Sequence, residues 1–316
     1  MKVFVQIPCL NEETTLPLVL TSIPKKIKGV DTIEILVIDD GSTDRTVEVA
    51  KQHGVTHFVR HTRTMGLARS FRDGVDYALK HGADIVVNTD GDNQYPQKRI
   101  ADLVQPIIAG TADIVIADRQ TAKIAHFSPF KKAMQRVGSW VVNKAAGTHL
   151  PDAASGFRAY SRHSLHKINI VTQFSYTMET IIQAGNKRLR IVSVEVTTNK
   201  KTRESRLFNS IWHHMAKSAQ AIMRSYIMFR PYVVFMSLGI LFLVVGLIPF
   251  VRFGVLVLLG QSRGHLQSLV FGTAMLVAAL LSFALVVIAD LLRTNRILLE
   301  DQLERLKELQ YKNEDD

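Results

Sequence analysis

Cysteine is nearly absent. Cys9 stands alone in 316 residues, which excludes an intramolecular disulfide framework and any cysteine-cluster metal site. Acidic residues are scarce too: 28 Asp and Glu against 39 Lys and Arg leave a formal net charge of +11 and an isoelectric point near 9.8. That balance calls for a partner of negative sign, whether nucleic acid, anionic lipid or a phosphorylated substrate. Charge is missing altogether from "YVVFMSLGILFLVVGLIPFV" at 232–251 and from Leu266–Ala289. Each run is long enough to cross the roughly 30 Å hydrocarbon core of a bilayer. The start, "MKVFVQIPCLNEE", lacks the apolar run of a signal peptide and soon meets Pro8 and two acids, so the N-terminal part is expected to stay in the cytosol. A mean hydropathy of +0.10 beside 21% charged residues suggests a soluble part joined to a membrane part.

Over the first two hundred residues, apolar β-branched runs at Val3–Ile7, Ile33–Ile38, Ile85–Val87, Asp113–Ala117 and Ile191–Val196 alternate with stretches of helical spacing near 13–22, 43–53, 67–81, 97–109, 131–147 and 176–185. Strands apolar throughout, separated by amphipathic helices, predict an α/β fold with a mostly parallel sheet covered on both faces. Ligands of such sheets sit beyond the carboxyl ends of the strands. Three strands end in polar clusters, "PCLNEE", "DDGSTD" and "DGDNQ", and these are expected at one rim. From Lys200 to Pro231 seven Lys or Arg accompany a single Glu, with apolar residues at helical intervals, which reads as a basic amphipathic helix on a membrane surface. The expected division is 1–205 catalytic, 206–230 juxtamembrane, 231–290 two transmembrane helices and 291–316 a C-terminal helix. Arg252 and Arg263 are the loop's only Lys or Arg, whereas Lys217, Arg224 and Arg230 precede the spans and Arg293 and Arg296 follow them. The positive-inside bias therefore puts both termini in the cytosol. Leu292, Leu299, Leu303, Leu306 and Leu309 make an apolar stripe that could pack on the catalytic domain or on a neighbouring subunit.

Asp90 and Asp92 lie at the end of a strand with Gly91 between them. Two like charges that close raise each other's free energy unless a cation sits with them, and paired carboxylates on a tight turn suit a hard divalent ion. Asp39 and Asp40, followed by Gly41 and Ser42, suit ribose hydroxyls or the N–H groups of a base. Pro8, Asn11 and Glu12 add a loop after the first strand. With the three clusters in this order, the sequence closely resembles the family 2 glycosyltransferases of the GT-A fold, from residue 3 to about 206. Pro8, Asn11 and Glu12 fit that family's P-x-x-N-E opening, Asp39 to Asp44 its D-D-G-S-x-D, and Asp90 with Asp92 its D-x-D. The resemblance implies that the first two groups embrace the nucleotide, together with Asp90, and that Asp90, Asp92 and Gln94 hold Mg²⁺ or Mn²⁺ with the diphosphate.

"DAASGFRAYSR" at 152–162, "TRESRLFNS" at 202–210 and two C-terminal spans look like the subfamily that moves one sugar onto polyprenyl phosphate at the cytoplasmic membrane. The Q-x-x-R-W motif of processive polysaccharide synthases does not occur. A lipid phosphate carries about −1.5 to −2 charges and needs cations. The candidates are Lys132 and Arg158 together with Arg119, Arg136, Arg203 and Arg206, of which Arg119 and Arg206 are favoured. Where the subfamily has a G-K-S-K-like stretch this chain reads "ESR", so the charge is present and the Gly is not. Catalysis would rest on Asp92 and on Asp152, the latter orienting acceptor or sugar, with inversion at the anomeric centre. Glu179 is a base in some relatives. The expected partners are a UDP- or GDP-sugar, polyprenyl phosphate, the membrane and further copies of the chain, a tetramer being possible. Nucleic acid is not expected, because the positive charge gathers beside the spans. Two other readings are an enzyme that extends a lipid-linked saccharide through a sugar hydroxyl, and a non-catalytic membrane scaffold.

Overall fold

In the computed structural model, residues 1–121, 129–170, 176–199, 220, 223, 231–260 and 266–312 are described. The basic stretch with Arg203 and Arg206 lies outside them. The chain forms two compact units: Met1–Met223 with Leu303–Asp316, and Arg224–Gln302.

The first unit is built on seven strands, β1 (Lys2–Cys9), β2 (Thr32–Asp39), β3 (His57–Arg60), β4 (Ile85–Asn88), β5 (Ile114–Asp118), β6 (Arg158–Ser161) and β7 (Ile191–Glu195), ordered β3-β2-β1-β4-β6-β5-β7. Its helices are α1 (Leu16–Ser22), α2 (Thr46–Gln52), α3 (Leu67–Lys80), α4 (Ile100–Ile108), α5 (Pro129–Ala146), α6 (Arg162–Lys167) and α7 (Tyr176–Asn186). All pairings are parallel except those of β6, which runs against both β4 and β5. The sheet is thus mostly parallel, as the apolar runs imply. One face packs Val3, Val5, Ile7, Val37 and Val87 against Leu16 and Val19 of α1 and Leu103 and Val104 of α4. Alternate residues such as Phe4, Leu36 and Ile38 are also fully buried, as are Ala78 and Leu79 of α3. Burying each large side chain is worth about 1.5–3 kcal/mol, which holds both faces of the sheet closed.

The positions of β3 and β6 were not evident in the sequence. Each has four residues, and β6 begins on an arginine, so neither shows an apolar run. Strand order reverses at β1, which is flanked by β2 on one side and β4 on the other. In open α/β sheets a crevice forms beyond the strand ends at such a point, and the three polar clusters sit there.

The second unit contains α8 (Pro231–Leu258) and most of α9 (Leu266–Lys312). Both helices are long and apolar enough to cross a membrane, and most of each apolar window is exposed, unlike the core of a soluble hairpin. The helix α8 continues past Arg252 to Leu258. The helices touch where side chains are smallest. A Cβ on Gly239 would lie 2.5 Å from Phe283, and one on Gly272 would lie 2.9 Å from the Gly246 carbonyl, the close approach that small residues permit between membrane helices.

The end of α9 belongs to the first unit, and it does not dock through its leucines. Leu303, Leu306 and Leu309 are exposed. The contacts come instead from Lys307, which donates to Asn169 Oδ1 at 2.7 Å, and from Tyr311, whose hydroxyl donates to Asp76 at 3.2 Å. The Tyr311 ring lies 5.7 Å from the His166 ring. The stripe therefore does not pack on the domain, because polar groups on another face of the helix find partners there.

Candidate active site

The first two clusters build one loop assembly. Asn11, in a left-handed conformation, donates its N–H to Ser42 Oγ at 3.0 Å and accepts from Thr43 N–H at 2.8 Å through its Oδ1. Glu12 donates its N–H to Thr46 Oγ1 at 2.8 Å, and its carboxylate accepts from the Thr15 hydroxyl at 2.6 Å. Pro8, at the end of β1, lies opposite Ile38 of β2. Asp39 accepts from Ser42 N–H at 2.9 Å. Asp40 accepts from Met65 N–H at 2.8 Å and Gly66 N–H at 2.9 Å, and His61 Nδ1 lies 2.7 Å from it. Gly41 has φ +83°, and a Cβ there would come within 2.9 Å of the Arg63 carbonyl carbon, so only glycine lets the two loops meet.

The third cluster follows β4. Gln94 donates both its backbone N–H and its side-chain Nε2 to Asp92, at 3.1 and 2.8 Å. Asp90 and Asp92 are half-buried, whereas Asp39 and Asp40 are buried. The turn abuts the loop after β1: a Cβ on Gly91 would lie 3.2 Å from both Cys9 Sγ and Glu12 Cγ. Two half-buried carboxylates and an amide oxygen are hard oxygen donors, and this set fits Mg²⁺ or Mn²⁺ with the remaining positions left to phosphate oxygens and water. No group of three or more His, Cys, Asp or Glu suited to a metal occurs among the described residues. Gln94 orients Asp92 through its amide nitrogen while its oxygen is the atom able to ligate.

Across from this turn, Arg119 grips Asp152 with two donors, Nε to Oδ2 at 2.6 Å and Nη2 to Oδ1 at 2.9 Å. Burial alone would raise the Asp152 carboxyl, but the Arg119 guanidinium outweighs it and holds the pKa below the ordinary value. Burial likewise opposes charge on Arg119, and Tyr95, Asp152 and Asp90 together push its pKa up. Both groups thus stay charged. Asp152 is a carboxylate already committed to a cation, which makes it a weak proton acceptor.

Between the carboxylate turn and this ion pair stands Gly156. Its N–H donates to Tyr95 Oη at 3.0 Å, and its carbonyl accepts from Asn88 Nδ2 at 3.0 Å and Tyr176 Oη at 3.2 Å. A Cβ on Gly156 would lie 3.5 Å from both Asp90 carboxylate oxygens. Asn88, Tyr95 and Tyr176 were not singled out in the sequence. Tyr95 lies inside "DGDNQYP" and could have been, since an aromatic hydroxyl beside a strand-end turn is a ready acceptor. Burial pushes its pKa up to about 12, so it stays protonated.

Arg158 was a candidate for phosphate contact; it is fully buried and cannot meet a ligand. Arg136 is exposed on α5, and Lys132 is half-buried on the same helix. Glu179 is buried within α7, accepting from Gln183 Nε2 at 3.2 Å. Cys9 is a buried free thiol whose pKa burial raises well above the ordinary value, in keeping with a filler and not a nucleophile.

The family model for glycosyl transferase family 2 matches residues 4–168, more than half of the chain and all three carboxylate clusters. The chain is a family 2 glycosyltransferase. This glycosyltransferase is 28% identical to the undecaprenyl-phosphate mannosyltransferase of Micrococcus luteus, over 67% of this chain and 89% of that one. It is 25% identical to the polyprenol monophosphomannose synthase of Mycolicibacterium smegmatis, over 63% of this chain and 78% of that one. Among solved structures, glucosyl-3-phosphoglycerate synthase of Mycobacterium tuberculosis, in complex with Mn²⁺, UDP-glucose and phosphoglyceric acid, has a TM-score of 0.53 and 21% identity. It covers 72% of this chain and 78% of that one, and the likeness is one of fold.

Proposed function

We propose that this glycosyltransferase moves a single sugar from a nucleotide-sugar donor to polyprenyl phosphate at the cytosolic face of the cytoplasmic membrane, with inversion and with Mg²⁺ or Mn²⁺. The observation that carries the reading is the Arg119–Asp152 pair facing the Asp90–Asp92 turn, in a chain that also has two helices able to cross a membrane. The names of the Micrococcus and Mycolicibacterium relatives point to the same acceptor class.

The loops tied together by Asn11, Glu12, Asp39 and Asp40 would cradle the nucleotide. Asp90, Asp92 and the Gln94 amide oxygen would hold the divalent ion, which when bound neutralises charge on the departing nucleoside diphosphate. A phosphate oxygen of the lipid attacks the anomeric carbon from the face opposite the diphosphate. The new C–O bond forms as the old one breaks, and the electron pair leaves with the nucleoside diphosphate. That nucleophile is already largely deprotonated, so no strong base is needed. Asp152 suits this chemistry because Arg119 occupies it: the pair positions groups, and the Nη1 edge of Arg119 is the part able to meet a phosphate. A sugar-hydroxyl acceptor would require a free base, which Asp152 does not offer. Arg136, with Arg203 and Arg206 of the basic stretch, would add positive charge for the lipid phosphate. The termini are read as cytosolic from the charge bias alone, and the exposed leucines of α9 leave a face for further copies of the chain.

The test is a donor screen. Full-length protein in detergent, with Mg²⁺ or Mn²⁺ and undecaprenyl phosphate, is offered UDP-glucose, UDP-N-acetylhexosamines and GDP-mannose, and lipid-phosphate-sugar is followed by mass spectrometry. One donor is expected to yield a single-sugar product. Product appearing only with hydroxyl-bearing lipid-linked acceptors would overturn the acceptor assignment.

A further inference from the structure

Arg158 opens β6 and is entirely buried. A buried cation is costly unless its donors are satisfied. Here they are met by neutral oxygens: Nε donates to the Ser155 carbonyl at 2.7 Å, and Nη2 to the Ala153 carbonyl at 3.0 Å. Nη1 donates to the Thr177 carbonyl and to Thr180 Oγ1, each at 2.8 Å. An apolar side chain would fill the space at lower cost, so the guanidinium supplies something that packing does not. Its planar fork of fixed donors gathers oxygens from the 153–155 loop and from α7 around one centre. An ammonium, with three donors on a flexible stem, does not reproduce that geometry.

The loop it gathers bears on both halves of the site. At one end is Asp152, gripped by Arg119. At the other is Gly156, pinned by Tyr95, Asn88 and Tyr176, with its Cα beside the Asp90 carboxylate. We propose that Arg158 is a positioning residue of this enzyme: its guanidinium is the mould on which the 152–157 loop folds, and it sets where Asp152 and Arg119 stand without touching substrate. The consequence for turnover rests on the transfer reading above; the loop's dependence on Arg158 does not.

The test compares full-length wild type with Arg158→Lys in detergent. Three quantities are read: hydrogen exchange of peptides covering 152–158, Mn²⁺ and UDP binding by calorimetry, and kcat with KM for donor and undecaprenyl phosphate. Arg158→Lys is expected to remain folded and to raise exchange in the loop about tenfold or more. Its kcat should fall about 30- to 100-fold, the scale of a 1 Å misplacement, while donor KM and Mn²⁺ affinity stay within about threefold. Guanidinium added to Arg158→Ala should restore part of the rate. If the lysine variant does not fold, Thr180→Val, which removes one of the four acceptors, carries the same expectation at about threefold. Wild-type kcat in a folded lysine variant, or unchanged loop exchange, overturns the assignment, as does loss of Mn²⁺ binding in step with kcat. A wild type that makes no lipid-phosphate-sugar, while Arg158→Lys still loosens the loop, overturns the acceptor reading and leaves this one standing.

Discussion

Two pairs of aspartates close the two strands that flank β1 in the sheet, and their surroundings differ. Asp39 and Asp40 end β2 and are buried, with oxygens accepting from the N–H groups of Ser42, Met65 and Gly66. Asp90 and Asp92 follow β4 and are half-buried, with Gln94 as the donor to Asp92. The first pair ties loops together through backbone N–H groups; the second stands half-buried on a turn, the arrangement on which the proposed metal site rests. The difference lies in what surrounds them, since the residue type and position along the strand are alike. A third carboxylate, Asp152, adds a guanidinium to its backbone donors: Arg119 grips both oxygens, and the N–H groups of Arg119 and Ala154 donate to them as well.

The contrast can be broken most severely at Asp92. Asp92→Asn should cut kcat by about a thousandfold, some 4 kcal/mol of barrier, with Tm nearly unchanged; thermal melts and turnover on the same samples check both halves. Arg119→Met should invert that pattern by leaving Asp152 buried without its cation, costing about 3–5 kcal/mol of stability in urea unfolding, beyond any loss of activity. Stability should also fall on acidification through a group outside both pairs. Burial lowers the His166 pKa to about 4, below the unfolded value near 6.5, so the unfolded chain takes up the proton first. The contribution is complete above about pH 6.5 and is lost progressively as pH falls toward 4, by at most about 3 kcal/mol. Melts of wild type and His166→Gln across that window should converge at the acid end. The smallest effect is expected at Asp40→Asn, whose amide oxygen can still accept one N–H. About 1–2 kcal/mol of stability should go, and activity should remain within about tenfold. A thousandfold loss there would mean that Asp40 touches the donor and that the contrast between the pairs is false.

Much of this was legible in the chain. Apolar runs marked β1, β2, β4, β5 and β7, and the clusters after β1, β2 and β4 fell on one rim because parallel strands share a direction. The short β3 and β6 were not legible, since HFVR and RAYS offer no continuous apolar run of the kind that IVVN gives the equally short β4, and β6 carries a buried arginine. Arg158 misled for the same reason. A lone Arg in "SGFR" reads as a free cation, and nothing local says that three neighbouring carbonyl oxygens and a threonine hydroxyl surround it. Of the two places offered for the stripe of Leu303, Leu306 and Leu309, the catalytic domain is not one, because Lys307 and Tyr311 make the contacts there.

The order of charges, glycines and apolar runs along the chain determined the family, the mostly parallel sheet, the rim and the two long apolar helices. These follow from local spacing, which needs no partner to be read. Tertiary structure alone decided which carboxylates are buried and which half-buried, that Arg119 belongs to Asp152, and that Arg158 is buried behind the 153–155 loop. Those outcomes depend on groups distant in sequence meeting in space, as when Arg119 reaches Asp152 or Asn88 reaches Tyr176, and no short window along the chain contains both partners.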